Sequence, residues 1–308
     1  MKIIVYNKKN SELWTSAVRD AFPDADVRHW AKEACHDWLA DYAVIWQPPA
    51  EFFQQQTQLK VVFNQGVGVD SLVDLESLPA DLPVLKLRGV GMEEYMSDYV
   101  IYGLLHFYRD FDYYSQQQLD SNWQPHKISK KSEWTVGILG LGVIGKAVAK
   151  AVSDSGFPVI GWSRTEKQID GVKAVSGDEG LDHLLKHSRV LVNLLPSTPS
   201  TQKLLNQKTL EKLPEGSVLI NGGRGDVIEV EALQNLLETG HIRGAMLDVF
   251  EVEPLDNKHP LWQNSRVIVT PHVAAPTPIE RAMEQIVADV ALIEQGEMPP
   301  AIDKSLGY

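Results

Sequence analysis

Three short stretches in the second half of the chain carry side chains suited to proton transfer and anion binding. Asn221-Gly222-Gly223-Arg224-Gly225-Asp226 sets a guanidinium among glycines, which let the backbone and Arg224 crowd a bound ligand. Asp248-Val249-Phe250-Glu251-Val252-Glu253-Pro254 supplies Glu253, and Thr270-Pro271-His272-Val273-Ala274-Ala275 supplies His272. An imidazole hydrogen-bonded to a carboxylate is an oriented, readily protonated acid. A guanidinium fork grips two oxygens, so it can position a molecule and polarise its carbonyl at once. One histidine among nine is ordinarily a core or surface residue, and a glutamate before proline is equally a plain loop acid. What raises these three is that each stretch follows a strand-like apolar run.

Phosphate chemistry is written upstream. Gly140-Leu141-Gly142-Val143-Ile144-Gly145 comes directly after the run Trp134 to Leu139 and directly before the helical pattern Lys146 to Val152. A bare Gly-x-Gly-x-x-Gly is weak, but between a strand and a helix it predicts a dinucleotide site. Gly140 permits the tight turn, Gly142 lets backbone approach a pyrophosphate, and Gly145 lets helix and strand pack closely. The next strand, Val159 to Trp162, ends in Ser163-Arg164-Thr165 where an NAD site would place an acid. An arginine beside two hydroxyls suits a 2′-phosphate, with Lys167 adding charge, so the expected cofactor is NADPH, with NADH second. No metal is expected.

The elements that must position these groups are legible as apolar runs. Ile3 to Tyr6, Val27 to Trp30, Ala43 to Trp46, Val61 to Asn64 and Val84 to Leu87 read as strands of a small parallel sheet. A long aromatic-rich helix from Ser97, a plausible N-cap, to about Tyr114 is apolar almost all round and is expected to be buried. Then come Trp134 to Leu139, Val159 to Trp162, Val172 to Val175, Val190 to Leu195, Val218 to Asn221, Ala245 to Val249 and Val267 to Thr270, with helical patterns at Gly145 to Val152, Leu181 to His187, Thr201 to Leu213 and Glu229 to Thr239. Repeated βα units of this length imply α/β architecture with two doubly wound parallel sheets. A final helix, about Pro278 to Gln295, crosses back to the first domain. The expected division is residues 1–97 plus 277–308 as a discontinuous substrate domain and 98–276 as the dinucleotide-binding domain. All three reactive stretches and the glycine turn would then share one carboxyl edge.

Composition narrows the partners. The 308 residues are 44% hydrophobic and 23% charged, ordinary for globular domains, and no apolar run approaches the roughly 18 residues that cross a bilayer. Lys+Arg 29 against Asp+Glu 41 gives a net charge of −12, which disfavours nucleic acid. A single cysteine, Cys35, and no visible export signal point to the cytoplasm.

With these motifs in hand, the whole chain resembles the D-isomer-specific 2-hydroxyacid dehydrogenase family, and within it the glyoxylate/hydroxypyruvate reductase A branch. The glycine fingerprint matches at Gly140, Gly142 and Gly145, the catalytic arginine at Arg224, the second glutamate of Asp-x-x-Glu-x-Glu-Pro at Glu253, and the Pro-His pair at His272. The substrate-carboxylate loop matches Gly66-Val67-Gly68-Val69-Asp70, whose Val67 and Gly68 N–H groups would hold the acid. The chain departs from the family at Met92-Glu93-Glu94-Tyr95, which replaces Asn-x-x-Val-Ala-Glu, and at the Val-Ala-Ala that follows His272. The resemblance implies a Rossmann NAD(P)-binding domain with a smaller flavodoxin-like substrate domain. It also implies reduction of small 2-oxoacids with His272 as proton donor, Asp248 at the nicotinamide carboxamide, Trp46 as a lid over small substrates, and a homodimer through the long helix. Two other functions share these residues: NAD-dependent oxidation of a D-2-hydroxyacid, and a catalytically weak NADP(H)-sensing module.

Overall fold

Runs of β-branched and aliphatic residues, apolar on both faces, pair as parallel strands in two separate sheets. The structure is a computed structural model that describes residues 1–31 and 37–304; Cys35 lies outside them. In chain order come β1 (Lys2–Asn7), α1 (Ser11–Ala21), β2 (Asp26–His29), β3 (Tyr42–Trp46), α2 (Glu51–Gln55), β4 (Val61–Asn64), α3 (Asp70–Val73) and β5 (Val84–Lys86). Next are α4 (Met92–Tyr108), α5 (Phe111–Leu119), β6 (Val136–Leu139), α6 (Val143–Asp154), β7 (Val159–Trp162), β8 (Lys173–Val175) and α7 (Gly177–His187). The chain continues through β9 (Val190–Asn193), α8 (Gln207–Leu210), β10 (Ser217–Asn221), α9 (Val230–Thr239), β11 (Ile242–Leu247), β12 (Val267–Val269) and α10 (Ile279–Glu294). It divides into two compact units, residues 1–91 with the chain from Thr277 onward, and residues 92–276.

The first unit is a five-stranded parallel sheet in the order β2-β1-β3-β4-β5, the flavodoxin-like arrangement. Ile4, Ala43, Ile45 and Val62 pack with Phe52, Phe53, Trp30 and Leu72 as its core. The C-terminal helix α10 packs on α1 and is fastened by polar pairs. Arg88 Nη2 donates to both oxygens of Asp289 at 2.9 and 3.0 Å, and the Tyr42 hydroxyl donates to Glu294. Burial first, and the Glu294 carboxylate second, hold that phenol well above its ordinary pKa, so it remains a donor.

The second unit is a seven-stranded parallel sheet in the order β12-β11-β10-β9-β6-β7-β8, the dinucleotide-binding arrangement with its reversal between β6 and β9. Because every strand is parallel, the glycine turn after β6, the Ser163 tip after β7, and the loops after β10, β11 and β12 leave from one edge.

Two helices differ from the sequence pattern. The helix expected from Ser97 to Tyr114 starts at Met92, with Glu93 and Glu94 in its first turn, where acids suit the dipole. Ser97 is interior, and its hydroxyl donates to the Glu93 carbonyl at 2.7 Å rather than capping. The helix ends at Tyr108 because Asp110 turns left-handed (φ 57°) before α5, a conformation aspartate tolerates. Asp110 and Asp112 both receive Arg243 of β11, at 2.6 and 2.5 Å, which fixes that break. Nor is α4 buried all round. Met96, Val100, Gly103, Leu104 and Phe107 face inward, while Tyr95, Tyr102 and Leu105 are exposed. Finally, the helix expected over Thr201 to Leu213 is reduced to Gln207–Leu210. Ahead of it, the Thr201 hydroxyl bonds Pro196 and Thr198 carbonyls, and Asn206 with Thr209 forms a capping box, local bonds that compete with a continuous helix.

Candidate active site

The glycine turn has the geometry its sequence requires. Gly140 is left-handed (φ 97°), and its N–H donates to the Trp162 carbonyl at 2.9 Å, which ties the turn to β7. A Cβ on Gly145 would lie 1.7 Å from the Gly140 carbonyl oxygen, so the close approach of α6 to the turn admits only glycine there. A Cβ on Gly142 would meet nothing within 4 Å. Gly142 is the N-cap of α6, with no side chain capping it, and it and Val143 are exposed. The residues therefore fit a dinucleotide: an uncapped helix N-terminus beside an open, side-chain-free approach. Leu141 is buried, with its methyls set against Gly161 of β7, and Ile144 is partly buried. At the β7 tip, Ser163 Oγ donates to the Thr165 carbonyl at 2.7 Å and closes a small loop with Arg164 and Thr165 exposed on it.

Arg224 is held by a ladder of buried amides. Asn193, at the end of β9, donates from Nδ2 to Asn221 Oδ1 at 2.9 Å, and the same oxygen accepts the Gly223 N–H at 3.2 Å. Asn221 Nδ2 in turn donates to the Arg224 carbonyl at 3.1 Å. The turn is thereby specified from both sides, and Arg224 Nη1 folds back onto the Gly223 carbonyl at 2.9 Å. A Cβ on Gly225 would be 2.0 Å from the Phe250 carbonyl carbon, so the arginine loop lies directly against the loop that carries Glu253.

Glu253 spends both oxygens. Oε1 accepts the Phe250 N–H at 3.0 Å, and Oε2 lies 2.8 Å from Nδ1 of His272. The imidazole is therefore oriented through Nδ1, with Nε2 as its other ring nitrogen; both side chains are part-exposed. His272 itself is left-handed (φ 56°). Asp248, 2% exposed, holds its turn: Oδ1 accepts the Val273 N–H at 2.8 Å and the Thr270 hydroxyl at 2.6 Å, and Oδ2 accepts the Ala274 N–H at 2.9 Å. The Arg224, Glu253 and His272 loops thus form one continuous contact chain along the sheet edge.

The Gly66–Asp70 loop belongs to the first unit. Asn64, fully buried at the end of β4, donates from Nδ2 to the carbonyls of Gly66 and Gly68 at 2.9 and 2.8 Å. Among the described residues no acceptor takes the N–H of Val67 or Gly68. Trp46 covers this loop: a Cβ on Gly66 would be 2.5 Å from the indole Cζ3, and Gln47 behind it is left-handed (φ 49°).

Sequence reasoning missed the residues that brace the site. Asn64, Asn193 and Asn221 each terminate an otherwise apolar strand, and a buried amide at a strand's end is the signal that marks them. Tyr99 and Thr270, 2.9 Å apart at their hydroxyls, gave no such signal. Among the described residues no cluster of His, Cys, Asp or Glu could hold a metal ion, and no helix is long and apolar enough to cross a membrane.

This sheet order, glycine turn and His–Glu pair define a nicotinamide-dinucleotide oxidoreductase. Residues 101–274 match the NAD binding domain of the D-isomer specific 2-hydroxyacid dehydrogenases, and the chain belongs to that family. A D-isomer specific 2-hydroxyacid dehydrogenase from Xanthobacter autotrophicus Py2, solved with NADPH and MES, is 38% identical over 99% of each chain, TM-score 0.92. The NADPH-dependent glyoxylate/hydroxypyruvate reductase SmGhrA of Sinorhizobium meliloti, solved with NADP and sulfate, is 34% identical over 100% of this chain and 99% of its own, TM-score 0.94. A probable 2-hydroxyacid dehydrogenase from Rhizobium etli CFN 42, solved with NADP, HEPES and tartaric acid, is 32% identical with the same coverage, TM-score 0.92.

Proposed function

We propose that this dehydrogenase works as an NADPH-dependent reductase of small 2-oxoacids, glyoxylate and hydroxypyruvate, yielding glycolate and D-glycerate. The observation that carries the proposal is the 2.8 Å pair of His272 Nδ1 with Glu253 Oε2, set in the same run of loops as Arg224. NADPH is favoured by the Ser163-Arg164-Thr165 tip, where the Arg164 guanidinium and the Thr165 hydroxyl are exposed and none of the three residues is acidic; relatives solved with NADPH or NADP point the same way.

Bound NADPH supplies the hydride that reduces the ketone carbon. Arg224 grips carboxylate and ketone oxygens and meets the negative charge that develops on the latter. His272, with Nδ1 held by Glu253, delivers the proton from Nε2 to that oxygen. Within the first unit, the Val67 and Gly68 N–H groups are the donors for a substrate carboxylate, and Trp46 packs over Gly66 of the same loop. The exposed aromatic face of α4, α5 and the following connection, with Trp123 98% exposed, serves as a homodimer surface.

A panel of 2-oxoacids assayed with NADPH and with NADH tests this. Fast turnover of glyoxylate and hydroxypyruvate with NADPH is expected. Faster oxidation of D-lactate or D-glycerate with NAD, or cofactor binding without turnover, contradicts it.

A further inference from the structure

A histidine at φ 56° occupies a region that side-chain-bearing residues enter only when their surroundings compel them. The compulsion here is traceable. The His272 N–H donates to the carbonyls of Asp248 (2.8 Å) and Thr270 (3.1 Å), and the next two N–H groups, of Val273 and Ala274, each find an oxygen of the Asp248 carboxylate. The same Asp248 carboxylate accepts the Thr270 hydroxyl, on Oδ1 at 2.6 Å.

Thr270 is itself oriented from outside the loop. Its oxygen lies 2.9 Å from the hydroxyl of Tyr99, on α4. A carboxylate only accepts, so the Thr270 hydrogen goes to Asp248, and Tyr99 must be the donor to Thr270. Tyr99 is suited to that: burial, the leading cause, pushes its phenol well above its ordinary pKa, so it keeps its proton. The chain from Tyr99 through Thr270 and Asp248 to the His272 turn is thus unidirectional.

We propose that Tyr99 and Thr270 are positioning residues that act through Asp248 to hold the His272 turn, and hence the imidazole, where it delivers its proton. The proposal rests on His272 being the acid and deepens that reading, since neither hydroxyl touches substrate.

The test compares Thr270→Val, Thr270→Ser, Tyr99→Phe, the Tyr99→Phe/Thr270→Val pair and His272→Ala in full-length protein. It measures kcat and KM for glyoxylate, and the NADPH dissociation constant by fluorescence. Thr270→Val should lower kcat on the order of 10- to 100-fold, the scale of a slightly misplaced catalytic group, and leave KM and NADPH binding within about twofold. Thr270→Ser, which keeps the hydroxyl, should restore most of the rate. Tyr99→Phe should lose less, and the double variant should be no slower than Thr270→Val, because both act along one path. Parent kcat in Thr270→Val, no rescue by serine, or additive losses would each overturn the positioning chain. His272→Ala separates the two ideas: if it turns over at the parent rate, the acid assignment itself has failed. If it is slow while Thr270→Val is fast, only the chain has. Should Thr270→Val not fold, Tyr99→Phe decides: an unchanged kcat rejects the chain, and a kcat loss at constant KM and NADPH affinity upholds it.

Discussion

Glu253 is bound at both ends: one oxygen lies 2.8 Å from His272 Nδ1 and the other accepts the Phe250 N–H at 3.0 Å. It can therefore orient the imidazole while its own carboxylate is held in place. His272→Ala should slow glyoxylate reduction by about 100-fold or more through loss of general acid catalysis. NADPH binding should survive, since the glycine turn and the β7 tip lie on other loops. Glu253→Gln should be milder. A glutamine can still accept from Nδ1 through its amide oxygen, so the ring keeps much of its orientation and kcat should fall less than in His272→Ala. A parent-like kcat in Glu253→Gln would remove that carboxylate from the mechanism.

Arg224→Lys keeps the charge and loses the planar fork. The turn around it is specified by Asn193 and Asn221 rather than by the guanidinium, so the fold should persist. Transition-state stabilisation should fall by about 3 kcal/mol or more, the scale of one lost oxyanion donor. Parent-like kcat/KM in this variant would show that Arg224 does not grip the reacting oxygens.

The glycine turn separates structural from cofactor roles within one motif. Gly145→Ala puts a methyl 1.7 Å from the Gly140 oxygen and should destabilise the second unit by about 1–3 kcal/mol, as overpacking does. Gly142→Ala meets nothing and should leave thermal unfolding unchanged. It should still weaken NADPH binding tenfold or more, about 1.4 kcal/mol, because it blocks the approach to the helix N-terminus. Equal NADPH affinity in Gly142→Ala and parent would place the pyrophosphate elsewhere.

Arg164→Ala should raise KM for NADPH much more than for NADH, by about 1.5–3 kcal/mol, the range for hydrogen bonds to a charged group. Ser163→Asp with Arg164→Ala should reverse the preference by repelling the 2′-phosphate and binding the ribose diol. A cofactor ratio indifferent to both changes would move the recognition of that phosphate away from the β7 tip.

Much of this architecture is legible in the sequence because parallel strands buried on both faces read as unbroken apolar runs, such as Val190-Leu191-Val192 and Val218-Leu219-Ile220. The Gly140, Gly142 and Gly145 spacing is equally plain. Helix ends were less so. The break at Asp110 depends on Arg243, 133 residues away, and Ser97 resembles a cap until its hydroxyl is seen on the Glu93 carbonyl. The bracing of the site was invisible for the same reason. Asn193 with Asn221, and Tyr99 with Thr270, meet only after the chain folds, and no spacing along the sequence records a contact of that kind.

The most direct measurement is the initial rate of loss of reduced-nicotinamide absorbance in the parent enzyme with glyoxylate, once with NADPH and once with NADH, repeated in His272→Ala. Saturable, glyoxylate-dependent oxidation is predicted, with a higher kcat/KM for NADPH and a loss of about 100-fold or more in the variant. No glyoxylate-dependent rate, a preference for NADH, or a variant as fast as the parent would contradict the account.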